Sequence, residues 1–365
     1  MENDSKFLED PHEREHFKAV CGAFFNYQVD SLVDIFRIEK NFSSLKPEHL
    51  SKLKEPIEIR TQKMKDGTAA NYYFLTHIVH PYIDLFSHTM LPDGRLQIEN
   101  LNVSGKNISK VRSTLRQLVR DWAIEGEKER EMCFTVILDE IKRVFPNVKN
   151  EEGELISILT PGAGLGRLSF EIAKHGYKSQ GNEFSYFMLL VSDYILNNTK
   201  TSNQFTVFPF IHDFSNVFTL NEIFRPVKIP DICPGEELKE GSDFSMVAGD
   251  FIEIYSQQKS QWDCIVTCFF MDTANNIMQY IEIIYEALKP GGAWINFGPL
   301  LYHYSNSDEE VSIDLTWEEF RHVILQFGFT LENENTKPSW YAAEANPMLE
   351  ITYKCIFFTA IKPNN

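Results

Sequence analysis

From Leu155 onward the chain alternates short apolar runs with amphipathic helical stretches, and this alternation most narrows the folds open to it. Apolar runs of that kind suit parallel strands buried on both faces, with each helix carrying the chain back for the next strand. The runs predict strands over Leu155 to Thr160, Tyr177 to Asn182, Phe244 to Ala248, Cys264 to Phe270 and Ala293 to Phe297. Phe327 to Glu332 and Leu349 to Ile361 read as an antiparallel edge pair, and Asn333 to Asn346 as the loop between them. Pro226, Pro230 and Pro234 mark Phe224 to Ser242 as an insertion over the surface.

The preceding part has a different texture. Apolar residues recur at three and four (Phe17, Val20, Cys21, Phe24, Phe25, then Val29, Leu32, Val33, Ile35, Phe36), which is helical periodicity. Pro47 suits the first turn of a second helix, Asp66-Gly67 its end, and Ala69 to Phe86 a third. Leu91-Pro92-Asp93-Gly94-Arg95 has hairpin-turn chemistry, followed by helices over Ile108 to Trp122 and Lys128 to Phe145. The expected organisation is a mainly helical region over 1–150 and an α/β domain over 151–365.

Composition removes several classes. With 29 Phe, 14 Tyr and 5 Trp among 365 residues, and 24% charged residues, the chain is neither disordered nor fibrous. A net charge of −17 repels phosphate backbones and anionic lipid, so no nucleic acid or membrane partner is expected. No apolar run approaches the roughly 20 residues a spanning helix needs, and the N-terminus lacks a signal-peptide core. A cytoplasmic chain is expected, with the nucleus also open. Six cysteines in mostly apolar strings do not form a disulfide framework, and Cys264 and Cys268 lack the second pair a zinc site needs, so no metal is expected.

The chemistry concentrates in Ile158-Leu159-Thr160-Pro161-Gly162-Ala163-Gly164-Leu165-Gly166-Arg167, a strand entering a glycine loop that opens a helix. Glycines there bring backbone N–H groups to a ligand that a Cβ would exclude. The spacing is GxGxG, whereas dinucleotide folds use GxGxxG, which favours a nucleoside without pyrophosphate. Glu183 follows Gly166 by 17 residues, at the end of the second strand, where a carboxylate accepts hydrogen bonds from ribose hydroxyls. Asp250-Phe251 ends the third strand and offers an acid and a ring beside an adenine. Taken singly, each has a plainer reading: a tight turn for the loop, a solvated carboxylate for Glu183, a helix N-cap for Asp250.

Leu288-Lys289-Pro290-Gly291-Gly292 is a turn common in S-adenosylmethionine-dependent methyltransferases, and longer strings are more specific. Pro161 to Leu168, Gln180-Gly181-Asn182-Glu183-Phe184-Ser185-Tyr186-Phe187-Met188, Cys268-Phe269-Phe270-Met271-Asp272-Thr273-Ala274 and Gly298-Pro299-Leu300-Leu301-Tyr302-His303-Tyr304 resemble the carnosine N-methyltransferase family. The resemblance runs from about Glu13 to the C-terminus and includes Gln117-Leu118-Val119-Arg120-Asp121-Trp122. It implies a seven-stranded, Rossmann-like class I methyltransferase sheet with a helical N-terminal extension. It also implies S-adenosylmethionine as methyl donor, and as acceptor the imidazole of the dipeptide carnosine (β-alanyl-histidine), giving anserine.

Carried over by the resemblance, the cofactor residues are Gln117, Arg120, Gly162, Gly164, Glu183, Asp250, Phe251 and Cys268. Arg120 would hold the methionine carboxylate and Glu183 the ribose diol. The acceptor residues are Asp272, His303 and Tyr353. Here the chain departs from the family, whose tyrosine-rich string before the matching cysteine is replaced by Leu349-Glu350-Ile351-Thr352-Tyr353, so one aromatic contact is missing. Asp272 would accept the imidazole N–H remote from the attacking nitrogen, and His303 would bind the dipeptide carboxylate or relay a proton. The alternatives are a methyltransferase for a histidine in a protein or for another small acceptor, and a cofactor-binding scaffold without turnover. A nicotinamide-dependent dehydrogenase is disfavoured by the loop spacing. A homodimer is left open.

Overall fold

The computed structural model describes residues 10–89, 103–342 and 348–364, so the turn expected at Leu91 to Arg95 lies outside the described residues. The chain divides into two compact units, one of residues 1–125, 193–233 and 344–350, the other of 126–192, 234–343 and 351–365.

The first unit is built on three helices: α1 (Pro11–Ser43), α2 (Pro47–Val79) and α3 (Gly105–Trp122). Asp10 caps α1 by accepting from the N–H groups of His12 and Glu13, and Pro11 fills the first turn, where no N–H is needed. One correction concerns Gly67. It does not end a helix, because α2 runs through it: a Cβ there would stand 3.1 Å from Ile211 and 3.3 Å from Phe208. Glycine at this position lets the segment around Phe208 approach the helix closely, while its helical conformation is ordinary.

A second correction concerns Phe224 to Ser242. Val227–Ile229 is a strand, antiparallel to Phe205–Val207, and Val227, Ile229 and Cys233 are buried. Ile211, Ile223 and Phe224 also pack with Ile35 and Met64 of α1 and α2. Residues 193–233 therefore complete the core of the helical unit instead of lying over its surface.

The polar centre of this unit gathers around His212. Asn71 accepts from the Phe208 N–H (2.6 Å) and donates to the Phe208 carbonyl (2.9 Å) and to the Tyr27 hydroxyl oxygen (2.8 Å). The Tyr27 hydroxyl lies 3.0 Å from His212 Nε2, and His212 Nδ1 is 3.9 Å from an Asp34 carboxylate oxygen. Arg112 bridges Asp30 (2.6 Å) and Asp34 (2.7 Å) beside it.

The second unit holds a seven-stranded sheet. In chain order its strands are β1 (Ser157–Pro161), β2 (Lys178–Glu183), β3 (Phe244–Ala248), β4 (Trp262–Cys268), β5 (Leu288–Gly298), β6 (Thr330–Ser339) and β7 (Tyr353–Ile361). The spatial order is β3-β2-β1-β4-β5-β7-β6, with β7 antiparallel to both neighbours and the β3 to β5 side parallel throughout. Period-two alternation sends Ala293, Ile295 and Phe297 of β5 to one face, against Ile137 and Ile141 of the helix Val136–Val144. Trp294 goes to the other face, packing 5.0 Å from Phe358 with Phe320 and Ile324. β6 continues to Ser339, through residues expected in a loop. Its outer position explains the polar sequence: Glu332, Glu334 and Lys337 face water at the edge of the sheet, with a bulge at Asn333. Among the described residues no helix is long and apolar enough to cross a membrane.

The buried His212 generates a prediction. Burial, reinforced by Arg112, pushes its pKa from 6.5 down to about 3, so the folded chain refuses a proton that the unfolded chain takes up below about pH 6.5. Stability should fall as pH drops from 6.5 towards 3, with a slope approaching one proton, about 1.4 kcal/mol per pH unit. In His212→Gln, which still offers Tyr27 an acceptor but does not titrate, urea unfolding between pH 6.5 and 4.5 should lose that slope. An unchanged slope would remove His212 from the pH dependence.

Candidate active site

The order of the parallel strands reverses between β1 and β4, and at such a switch point the loops leaving the carboxyl ends part to form a crevice. The ends of β1, β2 and β4 and the loops after them carry Gly162, Gly164, Glu183, Cys268 and Asp272.

After Pro161 the chain turns through Gly162 (φ 63°), Gly164 (φ 57°) and Gly166 (φ 81°) into the helix Arg167–Lys174. Such left-handed values favour glycine, and at Gly162 packing adds a second reason: a Cβ would sit 2.5 Å from the Phe270 ring. The Gly164 N–H donates to Glu183 Oε2 (2.9 Å), while Glu183 Oε1 accepts from the N–H groups of Phe184 (2.9 Å) and Ser185 (2.8 Å). Burial pushes this carboxyl above its usual range, against the pull of the three amides. A carboxylate offers about four acceptor positions, so one remains for a ligand hydroxyl. The end of β3 is tied alongside, because the Gly249 N–H donates to the Glu183 carbonyl (3.0 Å) and Asn182 Nδ2 donates to the Gly249 carbonyl (2.9 Å).

Asp250 and Phe251 follow. Asp250 Oδ1 caps the next helix, accepting from Ile252 (2.8 Å) and Glu253 (3.2 Å), which is its plainer sequence reading. The Phe251 ring is buried within an aromatic cluster, 5.4 Å from Phe270 and 5.2 Å from Tyr280. Gln117 and Arg120 lie in the first unit, buried on α3, where Gln117 Nε2 (3.4 Å) and Arg120 Nη1 (3.1 Å) both reach the Asp121 carboxylate.

These residues fit a nucleoside better than a dinucleotide. The Gly164 amide is committed to Glu183, and the helix-opening Arg167 to Glu171 (2.8 Å), so neither is directed at a phosphate. A carboxylate beside a glycine turn suits the hydroxyls of a ribose, as S-adenosylmethionine presents them. Among the described residues no cluster of His, Cys, Asp or Glu could hold a metal ion.

The residues expected to face the acceptor begin where β4 ends at Cys268, a half-buried residue paired with Phe297. Phe269 takes a left-handed conformation (φ 52°), its N–H bonded to the Phe297 carbonyl (2.8 Å), and a 3-10 turn over Met271–Thr273 follows. Asp272 in that turn is 4% exposed. Its Oδ2 accepts from the Leu301 N–H (2.9 Å), and its backbone carbonyl accepts from the His303 N–H (3.0 Å), so the loops after β4 and β5 are clipped together. Burial pushes the Asp272 carboxyl up, partly offset by the Leu301 N–H and by His303. His303 itself is exposed.

Tyr353 opens β7 with its ring edge-on to Phe269 at 6.2 Å, and Tyr341 lies against the same phenylalanine at 4.8 Å and 35°. Rings this close leave no gap for a third between them, so Phe269, Tyr341 and Tyr353 form one aromatic wall. Sequence reasoning gave no role to Phe269, which sits in a matched string, nor to Tyr341, which fell in an expected loop.

The carnosine N-methyltransferase family model matches residues 97–364. The chain is 42% identical over 353 residues to the carnosine N-methyltransferase of Mus musculus, covering 96% of this chain and 87% of that one. It is 36% identical over 359 residues to that of Schizosaccharomyces pombe, covering 94% and 95%, and 34% identical over 359 residues to that of Dictyostelium discoideum, covering 96% and 77%.

Two substitutions test the nucleoside side. Glu183→Ala should weaken S-adenosylmethionine binding by about 1–3 kcal/mol, because a charged hydrogen-bonding partner is lost. Gly162→Ala should lower affinity as well, since it strains the loop and drives a methyl group into Phe270. Calorimetric affinity unchanged by either would contradict the assignment.

Proposed function

The chain belongs to the carnosine N-methyltransferase family, and from that membership we propose that it methylates the histidine imidazole of carnosine to give anserine. It is an S-adenosylmethionine-dependent N-methyltransferase on a mixed α/β fold whose seven-stranded sheet is mostly parallel. The observation carrying the finer reading is Asp272: a buried carboxylate past the end of β4, held by the Leu301 N–H, with an aromatic wall three residues upstream.

Bound S-adenosylmethionine supplies a sulfonium methyl as electrophile. A neutral imidazole carries one N–H and one lone-pair nitrogen, and only the latter attacks. Asp272 accepts the N–H of the other nitrogen, which selects the tautomer and aims the lone pair. As the methyl group moves from sulfur to nitrogen, positive charge grows on the ring, and the carboxylate offsets it. Because burial raises the affinity of Asp272 for a proton, it is also suited to take that N–H proton from the methylated ring and pass it on. The faces of Phe269, Tyr341 and Tyr353 favour the ring as it becomes cationic. In this reading Glu183 holds the ribose, and His303 meets the dipeptide carboxylate at the exposed rim.

The first test is an assay with labelled cofactor across carnosine, free histidine, related dipeptides and histidine-containing peptides. Methyl transfer to carnosine, with anserine as product, is expected; transfer only to peptides would favour a protein histidine. Asp272→Asn should lower kcat about 100-fold or more while leaving cofactor affinity near wild type, because the charge is lost and the shape kept. Were Asp272 merely a clip for the Leu301 N–H, asparagine would serve almost as well and turnover would persist.

A further inference from the structure

We propose that Glu129 is a positioning residue for the acceptor site, holding Tyr341 against the turn that carries Asp272. The proposal rests on the reading of Asp272 above as the residue facing the acceptor. Glu129 is 5% exposed, in the four-residue helix Glu127–Arg130, far from every motif in the sequence. Its Oε1 accepts from the Ala342 N–H at 2.7 Å, across 213 residues of chain.

The donor of that bond has an unusual backbone. Ala342 is left-handed (φ 49°), and so is Phe269 (φ 52°), whose ring contacts the neighbouring Tyr341. A side chain rarely adopts this conformation, and it persists where the surroundings hold it. Phe269 is held by its N–H bond to Phe297 and by the backbone of Gly298, which stands close enough that a Cβ there would lie 3.1 Å from the Phe269 nitrogen. Ala342 is held by Glu129. On the other side of Tyr341, Trp340 Nε1 donates to the Thr352 hydroxyl (3.2 Å), one residue before Tyr353. Tyr341 is thus tethered through both neighbours, although its own ring is 46% exposed.

The segment bearing Glu129 is itself anchored. A π-helical turn over Glu131–Thr135 follows, and its Cys133 and Phe134 are buried in the cluster that Phe269 and Tyr353 pack against. The carboxylate thus reaches the Tyr341 loop from a packed base. Displacing Tyr341 would open the aromatic wall and loosen the Phe269 turn three residues before Asp272. Glu129 would then act on acceptor binding and not on the nucleoside side.

The test is a double-mutant cycle in the full chain, read by acceptor KM and kcat, calorimetric cofactor affinity, and hydrogen exchange at the Ala342 amide. Glu129→Ala should raise acceptor KM about tenfold with cofactor affinity within about twofold, and Tyr341→Ala should do the same. Combining them should be no worse than Tyr341→Ala alone, because both remove one element. Glu129→Gln keeps an oxygen for the Ala342 N–H and should restore KM and exchange protection. If Glu129→Ala does not fold, Glu129→Asp, one methylene short of the amide, carries the same comparison. Effects that multiply in the double variant, a KM unchanged by losing Glu129, or equal losses in cofactor affinity and acceptor KM would overturn the proposal. Exchange at Ala342 needs no substrate, so a tether that breaks as expected in a chain that fails to methylate carnosine would uphold the tether and reject only the acceptor.

Discussion

The Phe270 ring occupies the space that any side chain at position 162 would need, and the geometry of the second unit's site depends on that exclusion. Its edge stands where a Gly162 Cβ would be. It stacks on Tyr280 at 4.8 Å and 13°, and it meets Phe251 at 5.4 Å. One buried ring therefore touches the glycine loop after β1, the helix that Asp250 caps, and the turn that presents Asp272. Because close-packed interiors transmit displacement, the Gly162 loop and the Asp272 turn are coupled through this ring. In the proposed reading that coupling serves methyl transfer, since in-line attack tolerates little error between donor and acceptor.

Two carboxylates, Glu183 and Asp272, are pushed up by burial and pulled back by backbone amides, but in unequal measure. Glu183 receives three N–H groups, which leaves it a fixed acceptor with little capacity remaining. Asp272 receives the Leu301 N–H on Oδ2, and its carboxylate keeps acceptor capacity for a substrate N–H in the proposed reading. His212 in the helical unit shows the complementary case, a base kept neutral by burial.

The parallel strands were legible because burial on both faces demands continuous apolar runs: β1, expected over Leu155 to Thr160, is buried along its whole length at Ser157–Pro161. β6 was not, since an edge strand facing water is polar and reads as a loop. Phe205–Val207 and Val227–Ile229 have three residues each, too few for any periodicity to register. Gly67 misled because local rules treat glycine as a stop, while here it serves a contact with Phe208 that only tertiary structure reveals. The glycine loop and Glu183 follow local chain logic and were read correctly as neighbours. Tyr341 and Glu129 were illegible for the opposite reason: their significance is a hydrogen bond between segments that no local pattern connects.

The antiparallel last strand has a consequence for the acceptor side. β1 to β5 are parallel, so their carboxyl ends and the loops bearing Glu183, Asp272 and His303 share one edge of the sheet. A seventh strand running the same way would begin at the opposite edge. Because β7 runs against β5, with Ile356 opposite Gly298, its first residue Tyr353 reaches the edge where β5 ends. β6, parallel to β5, finishes at that edge too, with Ser339 opposite Tyr353, and the chain continues directly into Trp340 and Tyr341. Reversing one strand thus delivers two tyrosines to Phe269 from the C-terminal hairpin. The hydrogen bonds that hold Glu183 come from the segments after β1 and β2, and none comes from this hairpin.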